Sequence, residues 1–232
     1  MNIYGIMSTD ISKDYLSASI LLSKKLQNSL LIDSYNGFRP LDIMTGKTEA
    51  IYDIFDFNKM GEEAICKGDD FDFLPASYSK DFQDFDFKSL EEKIKSLSYD
   101  NVIISIPLLM EGIKNYLKFI NKLIILTQTD DLSLRNTEKI LYSCQKIKRL
   151  IATYIIFQTT NKNIDFNNEK YKFLQRPKVE FFSMPQIYDN HLKNKNFTDF
   201  MEKLASLLES GEGKQELSSN TTKSILKRIF KI

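Results

Sequence analysis

The hydrophobic residues of this chain gather in seven short runs, most of them continuous rather than alternating with polar positions. The runs are rich in β-branched and aromatic residues, which favour strands. Continuous apolar runs of this length are typical of strands covered on both faces, as in a parallel sheet. The seven predicted strands are 3–7, 30–32, 71–74, 102–106, 123–127, 154–157 and 179–182.

Segments with helical spacing of apolar residues lie between these runs, at 15–26, 90–97, 112–120, 134–147 and 197–208. Because strands and helices alternate, we predict an α/β fold with a doubly wound, mainly parallel sheet and helices on both faces. Ligands bind such sheets at the carboxyl ends of the strands. The turns after Met7, Asp33 and Ser105 are therefore the candidate functional region.

The composition changes abruptly after Leu208, which predicts three parts in the chain. Residues 1–208 are long enough for one α/β domain. Residues 209–222 are small and polar without periodicity, as in a flexible linker. Residues 223–232 place four large apolar residues on one helical face and cations on the other, which predicts a short basic amphipathic helix after the linker.

The turn after the first strand has an unusual composition. A strand, a polar turn and a helix in this order form the usual frame of a phosphate-binding loop. Such a loop needs glycines, so that its backbone N–H groups can converge on the anion. Residues 8–15 contain no glycine. The sequence therefore predicts the strand, turn and helix of a nucleotide-binding protein without the glycine-rich loop that normally binds phosphate.

Charge and cysteine content exclude several classes of protein. The net charge of +1 gives no overall field that attracts nucleic acid, so no nucleic-acid partner is expected. Cys66 and Cys144 lack the spacing of metal ligands, and the single histidine, His191, cannot form a metal cluster alone. We expect a reduced, cytoplasmic protein without a bound metal. The longest apolar runs are far shorter than the roughly 20 residues that cross a bilayer.

Three motifs in collinear order point to a family. Residues 33–42 read Asp-Ser-Tyr-Asn-Gly-Phe-Arg-Pro-Leu-Asp, residues 74–77 read Leu-Pro-Ala-Ser, and residues 184–186 read Met-Pro-Gln. This order resembles the MinD/ParA family of deviant P-loop ATPases, in which an aspartate-rich turn precedes Gly-x-Arg-Asn-Leu-Asp and a later strand ends in Leu-Pro-Ala-Ser. The resemblance covers most of residues 1–208 and implies a P-loop NTPase-like fold and a homodimer.

The family's nucleotide site carries over only in part. Lys13 aligns with the lysine that contacts phosphate, whereas the position of the magnesium-binding hydroxyl is Asp14, whose carboxylate would repel a phosphate chain. Asp33 matches the first aspartate of the second-strand turn. The second, which orients the attacking water, is replaced by Tyr35, and the Walker B aspartate by Ser105. The candidate nucleotide-binding residues are therefore Lys13 and Asp33, and no catalytic residue is expected.

Phosphoryl transfer is catalysed almost wholly by positioning and electrostatic stabilisation, so losing three parts of one site should abolish turnover. We therefore predict a catalytically degenerate family member with no cofactor. The alternative is an atypical ATPase that holds ATP and magnesium through Lys13 and Asp33 and cycles on and off a membrane. Lys13 is also compatible with a solvated lysine, and Asp33 with local hydrogen bonding at a strand exit.

The C-terminal segment resembles the membrane-targeting tail found in the family, where a Leu-Lys-Arg-Leu-Phe core follows a linker. Here the predicted membrane-binding residues are Ile225, Leu226, Lys227, Arg228, Ile229, Phe230 and Lys231. Basic amphipathic helices of this kind attach reversibly to anionic leaflets. We expect peripheral attachment to the inner face of the cytoplasmic membrane, with a partner-binding helix as the alternative.

Residues 130–135, Asp-Asp-Leu-Ser-Leu-Arg, are similar to the corresponding segment of TadZ/CpaE proteins, relatives with altered nucleotide motifs that act in pilus assembly. The resemblance implies a membrane-associated localisation or scaffolding factor in pilus or secretion-system assembly, or in positioning at a cell pole or division site. Its expected partners are anionic lipids, a second copy of the chain and further, unidentified proteins.

Overall fold

The sheet has seven parallel strands in the computed structural model, which describes residues 1–9, 14–35, 39–48, 50–78, 80, 85–108, 113–144, 147, 150–158, 179–184 and 191–210. The strands are β1 (Asn2–Ser8), β2 (Ser29–Asp33), β3 (Asp72–Leu74), β4 (Asn101–Ser105), β5 (Lys122–Thr127), β6 (Ala152–Gln158) and β7 (Val179–Met184). Their order is β3-β2-β4-β1-β5-β6-β7, and every pair of neighbours is parallel. All seven apolar runs predicted as strands are confirmed.

The described part of the chain contains seven α-helices, the last of which follows β7. They are α1 (Asp14–Lys25), α2 (Pro40–Thr45), α3 (Ile54–Met60), α4 (Phe87–Ser96), α5 (Ile113–Phe119), α6 (Asp131–Cys144) and α7 (Lys195–Ser210). Short 3-10 helices span Gly61–Ala64 and His191–Lys193. The five predicted helices correspond to α1, α4, α5, α6 and α7, with ends that differ by a few residues.

The core forms two layers, one on each face of the sheet. Alternate strand residues point to opposite faces, so Ile103 packs with α1, α2 and α7, while its neighbours Val102 and Ile104 pack with α3, α4, α5 and α6. Both layers are closed to solvent, since these strand residues are fully buried. The doubly wound α/β architecture expected from the sequence is confirmed.

Two short helices between β2 and β3, α2 and α3, were not predicted. Each is too short to show a helical repeat, and local chemistry defines their ends. The Asp53 side chain accepts hydrogen bonds from the N–H groups of Phe55 and Asp56, while Asp56 caps the Asp53 N–H in return. Gly46 closes α2 with a φ of 70°. These caps hold the exit of β2 in a compact turn beside the sheet edge.

Helix α7 continues to Ser210, so Glu209 and Ser210, predicted as the start of the linker, belong to the helix. Glu209 accepts a hydrogen bond from the Gln27 N–H (3.2 Å), which joins the end of α7 to the end of α1. The rest of the predicted linker and the amphipathic segment lie outside the described residues. Within the described part, no helix has the length and apolar character to cross a membrane.

Candidate functional site

The polar carboxyl ends of three strands meet at the point where the strand order of the sheet reverses direction. Strand β1 lies between β4 and β5, and β4 lies between β1 and β2. Asp33 pairs in register with Ser105, and the Ser34 hydroxyl donates to the Ser105 carbonyl oxygen. On the other side, the Thr9 N–H donates to the Leu126 carbonyl oxygen (3.0 Å). The exits of β1, β2 and β4 therefore form one polar edge, as predicted.

Asp33 is fully buried at this edge. Its Oδ1 accepts a hydrogen bond from the Tyr35 N–H (2.8 Å), whereas its Oδ2 has no hydrogen-bond partner among the described residues. Burial raises the pKa of Asp33 to about 7, against the lowering effect of the nearby backbone N–H groups of Tyr35 and Leu41. The Asp42 carboxylate raises this pKa further and the Arg39 guanidinium lowers it. Asp33 is thus protonated over much of the acidic range.

An ion pair is buried next to Asp33. The Arg39 Nη2 lies 2.5 Å from the Asp42 Oδ2, and both side chains are almost completely buried. Arg39 also donates to the Ala50 carbonyl oxygen (3.1 Å), and its guanidinium lies over the Tyr78 ring, 4.6 Å from the centroid. Arg39 therefore ties the exit of β2 to the segments that follow α2 and β3.

Arg39 holds this position in a strained backbone conformation. Its φ of 43° and ψ of 52° lie in the left-handed region, where a side chain costs about 1 kcal/mol or more. The residue stands directly before Pro40, the first residue of α2. Arg39 and Asp42 belong to the family motif at residues 33–42, but no role was predicted for either residue. The sequence signal for this ion pair was that Arg39 directly precedes a short helix and Asp42 follows three residues later, within it.

A buried hydroxyl network fixes the start of the turn after β1. Thr9 Oγ1 donates to Thr127 Oγ1 (2.7 Å), and Thr137 Oγ1 of α6 donates to the same atom (3.0 Å). The Asn136 side chain donates to the Thr9 carbonyl oxygen (2.9 Å). The turn is therefore anchored to β5 and α6. This network was not predicted from the sequence, because its members come from three distant segments and match no motif.

The other positions of the candidate site can be placed only in part. Asp14 is buried as the first residue of α1, Tyr35 is half-buried after β2, and Ser105 ends β4 with its hydroxyl 3.5 Å from the Ile32 carbonyl oxygen. Lys13 lies outside the described residues, as do the membrane-binding candidates 225–231. The structure therefore places Asp33, Tyr35 and Ser105 together and leaves Lys13 unplaced.

Carboxylate and hydroxyl side chains make up the described part of this edge. Asp14 and Asp33 contribute carboxylates and Ser34 and Ser105 contribute hydroxyls, while the Arg39 charge is already paired with Asp42. No group of three or more potential metal ligands occurs in the described part of the chain.

Solved structures share this architecture at low sequence identity. The septum site-determining protein MinD complexed with Mg-ADP from Pyrococcus horikoshii OT3 matches with a TM-score of 0.67 and 17% identity, over 91% of this chain and 97% of that chain. The MinC:MinD cell division protein complex of Aquifex aeolicus matches at 0.64 and 18%, over 97% and 96%. Both cover nearly the whole of the chain and of the solved protein.

A plasmid partition protein from Borrelia burgdorferi B31 bound to AMPPNP matches with a TM-score of 0.65 and 16% identity, over 89% of this chain and 97% of that chain. No protein-family model matches the sequence, and no curated protein matches it either. Likeness at these identities establishes the fold. The P-loop NTPase-like fold expected from the resemblance is confirmed: this chain has the fold of the MinD and ParA ATPases.

Proposed function

We propose that this protein is a catalytically degenerate MinD/ParA-like ATPase that acts as a membrane-associated localisation or scaffolding factor. Catalytic degeneracy is supported by the residues of the nucleotide-site edge, the polar edge that the exits of β1, β2 and β4 form. Ser105 stands where the family has the magnesium-binding aspartate, and Tyr35 stands where it has the water-positioning aspartate. Of the expected carboxylates, Asp33 alone remains.

The environment of Asp33 supports this proposal. A carboxylate that binds magnesium through water must be ionised and must face solvent. Asp33 is fully buried, its pKa is raised to about 7, and Oδ1 is engaged by the Tyr35 N–H. These properties suit a residue that holds the β2 exit in place. Two of the solved proteins contain Mg-ADP or AMPPNP, which makes an atypical ATPase that uses Lys13 and Asp33 the second candidate function.

A nucleotide titration separates these two candidates. We expect isothermal titration of the full chain with ATP and magnesium to show no binding tighter than millimolar, and phosphate release to stay at the level of buffer, because the metal-binding and water-positioning carboxylates are missing. A micromolar dissociation constant that disappears in Lys13→Ala but persists in Lys47→Ala would overturn the degenerate assignment in favour of the atypical ATPase.

The second half of the proposal is membrane attachment through residues 223–232. Four cations, Lys223, Lys227, Arg228 and Lys231, each contribute about 1 kcal/mol near an anionic leaflet. The apolar face adds about 1.5 to 3 kcal/mol for each large side chain that is buried, and ordering of the tail subtracts from this gain. The balance is weak, reversible attachment, which a homodimer strengthens by avidity. Pilus or secretion-system assembly is the specific setting that we propose.

Deletion of residues 223–232 tests this half. The intact chain is expected to co-sediment with vesicles that contain phosphatidylserine but not with pure phosphatidylcholine vesicles, and the deletion should remove the difference. Ile229→Glu combined with Phe230→Glu should act like the deletion, since both substitutions remove apolar area from the membrane-facing side. Equal sedimentation of the intact and shortened chains would contradict a membrane-binding tail.

Protein partners belong to the same proposal. The solved MinC:MinD complex of Aquifex aeolicus shows that a protein of this fold assembles with a second protein. Because the residues at the nucleotide-site edge differ from those of the family, we expect the outer surfaces and the tail of this chain to bind its partners. A homodimer is the simplest assembly that would place two tails on one membrane.

A further inference from the structure

A groove of about 290 Å³ opens beside α1, away from the nucleotide-site edge. Its lining is mixed: the apolar residues are Ile20 and Leu21 of α1, Met44 of α2, Phe71 before β3 and Leu192 before α7, and the polar ones are Lys24, Thr45, Lys47, Asp69 and Asp70. This volume lies at the lower end of the range for small-molecule sites. The groove therefore fits one or two large side chains of a peptide better than a whole organic ligand.

Two exposed carboxylates, Asp69 and Asp70, line the groove together with two lysines, Lys24 and Lys47. The Lys47 ammonium lies over the Phe71 ring, 5.5 Å from its centroid. Asp70 lies 3.4 Å from Lys24, and both side chains are largely exposed, so this pair contributes little and exchanges readily with another cation. The groove thus combines an apolar part with two carboxylates that can receive positive charge, since Asp69 has no ion pair among the described residues and Asp70 has only an exposed one.

The end of α7 lies close to this groove. Lys25, the neighbour of the groove residue Lys24, donates to Glu202 of α7 (2.8 Å), and the Gln27 N–H donates to Glu209 (3.2 Å). The chain leaves the described structure one residue later, at Ser210. Residues 211–222 span up to about 40 Å when extended, which is far more than the width of one helix pair. The segment 223–232 can therefore reach the groove of its own chain.

We propose that residues 223–232 dock into this groove when the protein is away from a membrane, with Ile229 and Phe230 as the apolar contacts and the tail cations near Asp69 and Asp70. The inference rests on the proposed function, in that it concerns the same tail. A tether of this length gives an effective concentration of about millimolar, so a groove that binds the segment with a dissociation constant below about one millimolar is mostly occupied. The apolar residues that would enter lipid are then covered, and membrane attachment requires their release.

Paramagnetic relaxation tests docking without any lipid. A nitroxide is attached at Ser224→Cys in a Cys66→Ser, Cys144→Ser background of the full chain. We expect the label to broaden the NMR signals of Leu21, Met44 and Phe71 and to spare Ile94, which packs on the opposite face of the sheet. Unchanged signals for all three groove residues would overturn the proposal.

Charge reversal in the groove lining provides the matched comparison. Asp69→Lys with Asp70→Lys should reduce the broadening strongly, whereas Glu62→Lys with Glu63→Lys, which changes the net charge equally at exposed positions outside the groove lining, should leave it intact. If both double variants behave alike, Asp69 and Asp70 have no specific role and the proposed docking is wrong.

Vesicle binding links docking to the proposed function. With phosphatidylserine vesicles, the Asp69→Lys, Asp70→Lys variant should need several-fold less lipid for half-maximal binding than the Glu62→Lys, Glu63→Lys variant, because its tail is released. Equal binding of the two variants would contradict sequestration. If no variant binds vesicles while the label still broadens the groove signals, the membrane function is wrong and the docking stands.

Discussion

Replacing Asp33 with asparagine is expected to remove a large pH dependence from the stability of this protein. The measurement is the free energy of unfolding in urea between about pH 4 and pH 8, for the wild type and for Asp33→Asn. The difference between the variant and the wild type should rise by about 4 kcal/mol across this interval, in favour of the variant at the alkaline end. Among the described residues, no other carboxyl-bearing residue is as deeply buried.

The sign follows from the direction of the pKa shift. Burial raises the pKa of Asp33 from its ordinary 3.8 to about 7 in the folded protein. Between these two values, the folded state holds a proton that the unfolded state has released, so the free energy of unfolding falls as the pH rises. The fall is complete once the pH passes the folded pKa. A gap of about three pKa units corresponds to about 4 kcal/mol.

Asparagine does not titrate, so its own contribution is the same at both ends of the interval. Its Oδ1 can still accept from the Tyr35 N–H, while its buried amide donors carry a constant cost of about 1 to 3 kcal/mol. Comparing the change with pH, rather than one absolute value, cancels this cost. Asp100→Asn, at an exposed carboxylate, is the control and should leave the wild-type pH profile unchanged. Parallel profiles for Asp33→Asn and wild type would show that Asp33 is not buried as described.

The sequence was sufficient to predict the sheet because the strands of this sheet are buried on both faces. Their apolar runs are continuous and contrast with the amphipathic segments between them, as at β4 and α4. The position of the candidate site followed from the same pattern, since polar residues end β1, β2 and β4. Helices α2 and α3 escaped prediction because six or seven residues are too few to show a period. Capping chemistry at Asp53 and Gly46, rather than amphipathicity, defines them.

The interior of the site could not be predicted because it depends on long-range contacts. The resemblance to the family identified Tyr35 and Ser105 as replacements, but burial of Asp33 depends on segments that pack over it from elsewhere in the chain. The pairing of Arg39 with Asp42 is local, yet the Arg39 guanidinium also lies over the ring of Tyr78, which is 39 positions later in the sequence. The Thr9, Thr127 contact likewise joins residues 118 positions apart. A single sequence contains no signal for such pairs.

Removing the Arg39 guanidinium is expected to destabilise the protein by about 3 to 5 kcal/mol, because Arg39→Met leaves the Asp42 carboxylate buried without its cation. Arg39 and Asp42 are 5% and 1% exposed, so solvent cannot compensate for the loss. Urea unfolding at neutral pH measures this cost. The double variant Arg39→Met, Asp42→Leu should recover most of the lost stability, since a buried ion pair replaced by apolar residues of similar size is often neutral.

The double-mutant cycle separates the ion pair from the other contacts of Arg39. Met also loses the hydrogen bond to Ala50 and the contact with Tyr78, and these losses remain in the double variant. Additive costs of Arg39→Met and Asp42→Leu would mean that the pair is not coupled, contrary to its 2.5 Å geometry. The pH profile supplies a second measurement. Because Arg39 lowers the pKa of Asp33 and Asp42 raises it, Arg39→Met should extend the pH dependence to higher pH, and adding Asp42→Leu should bring it back.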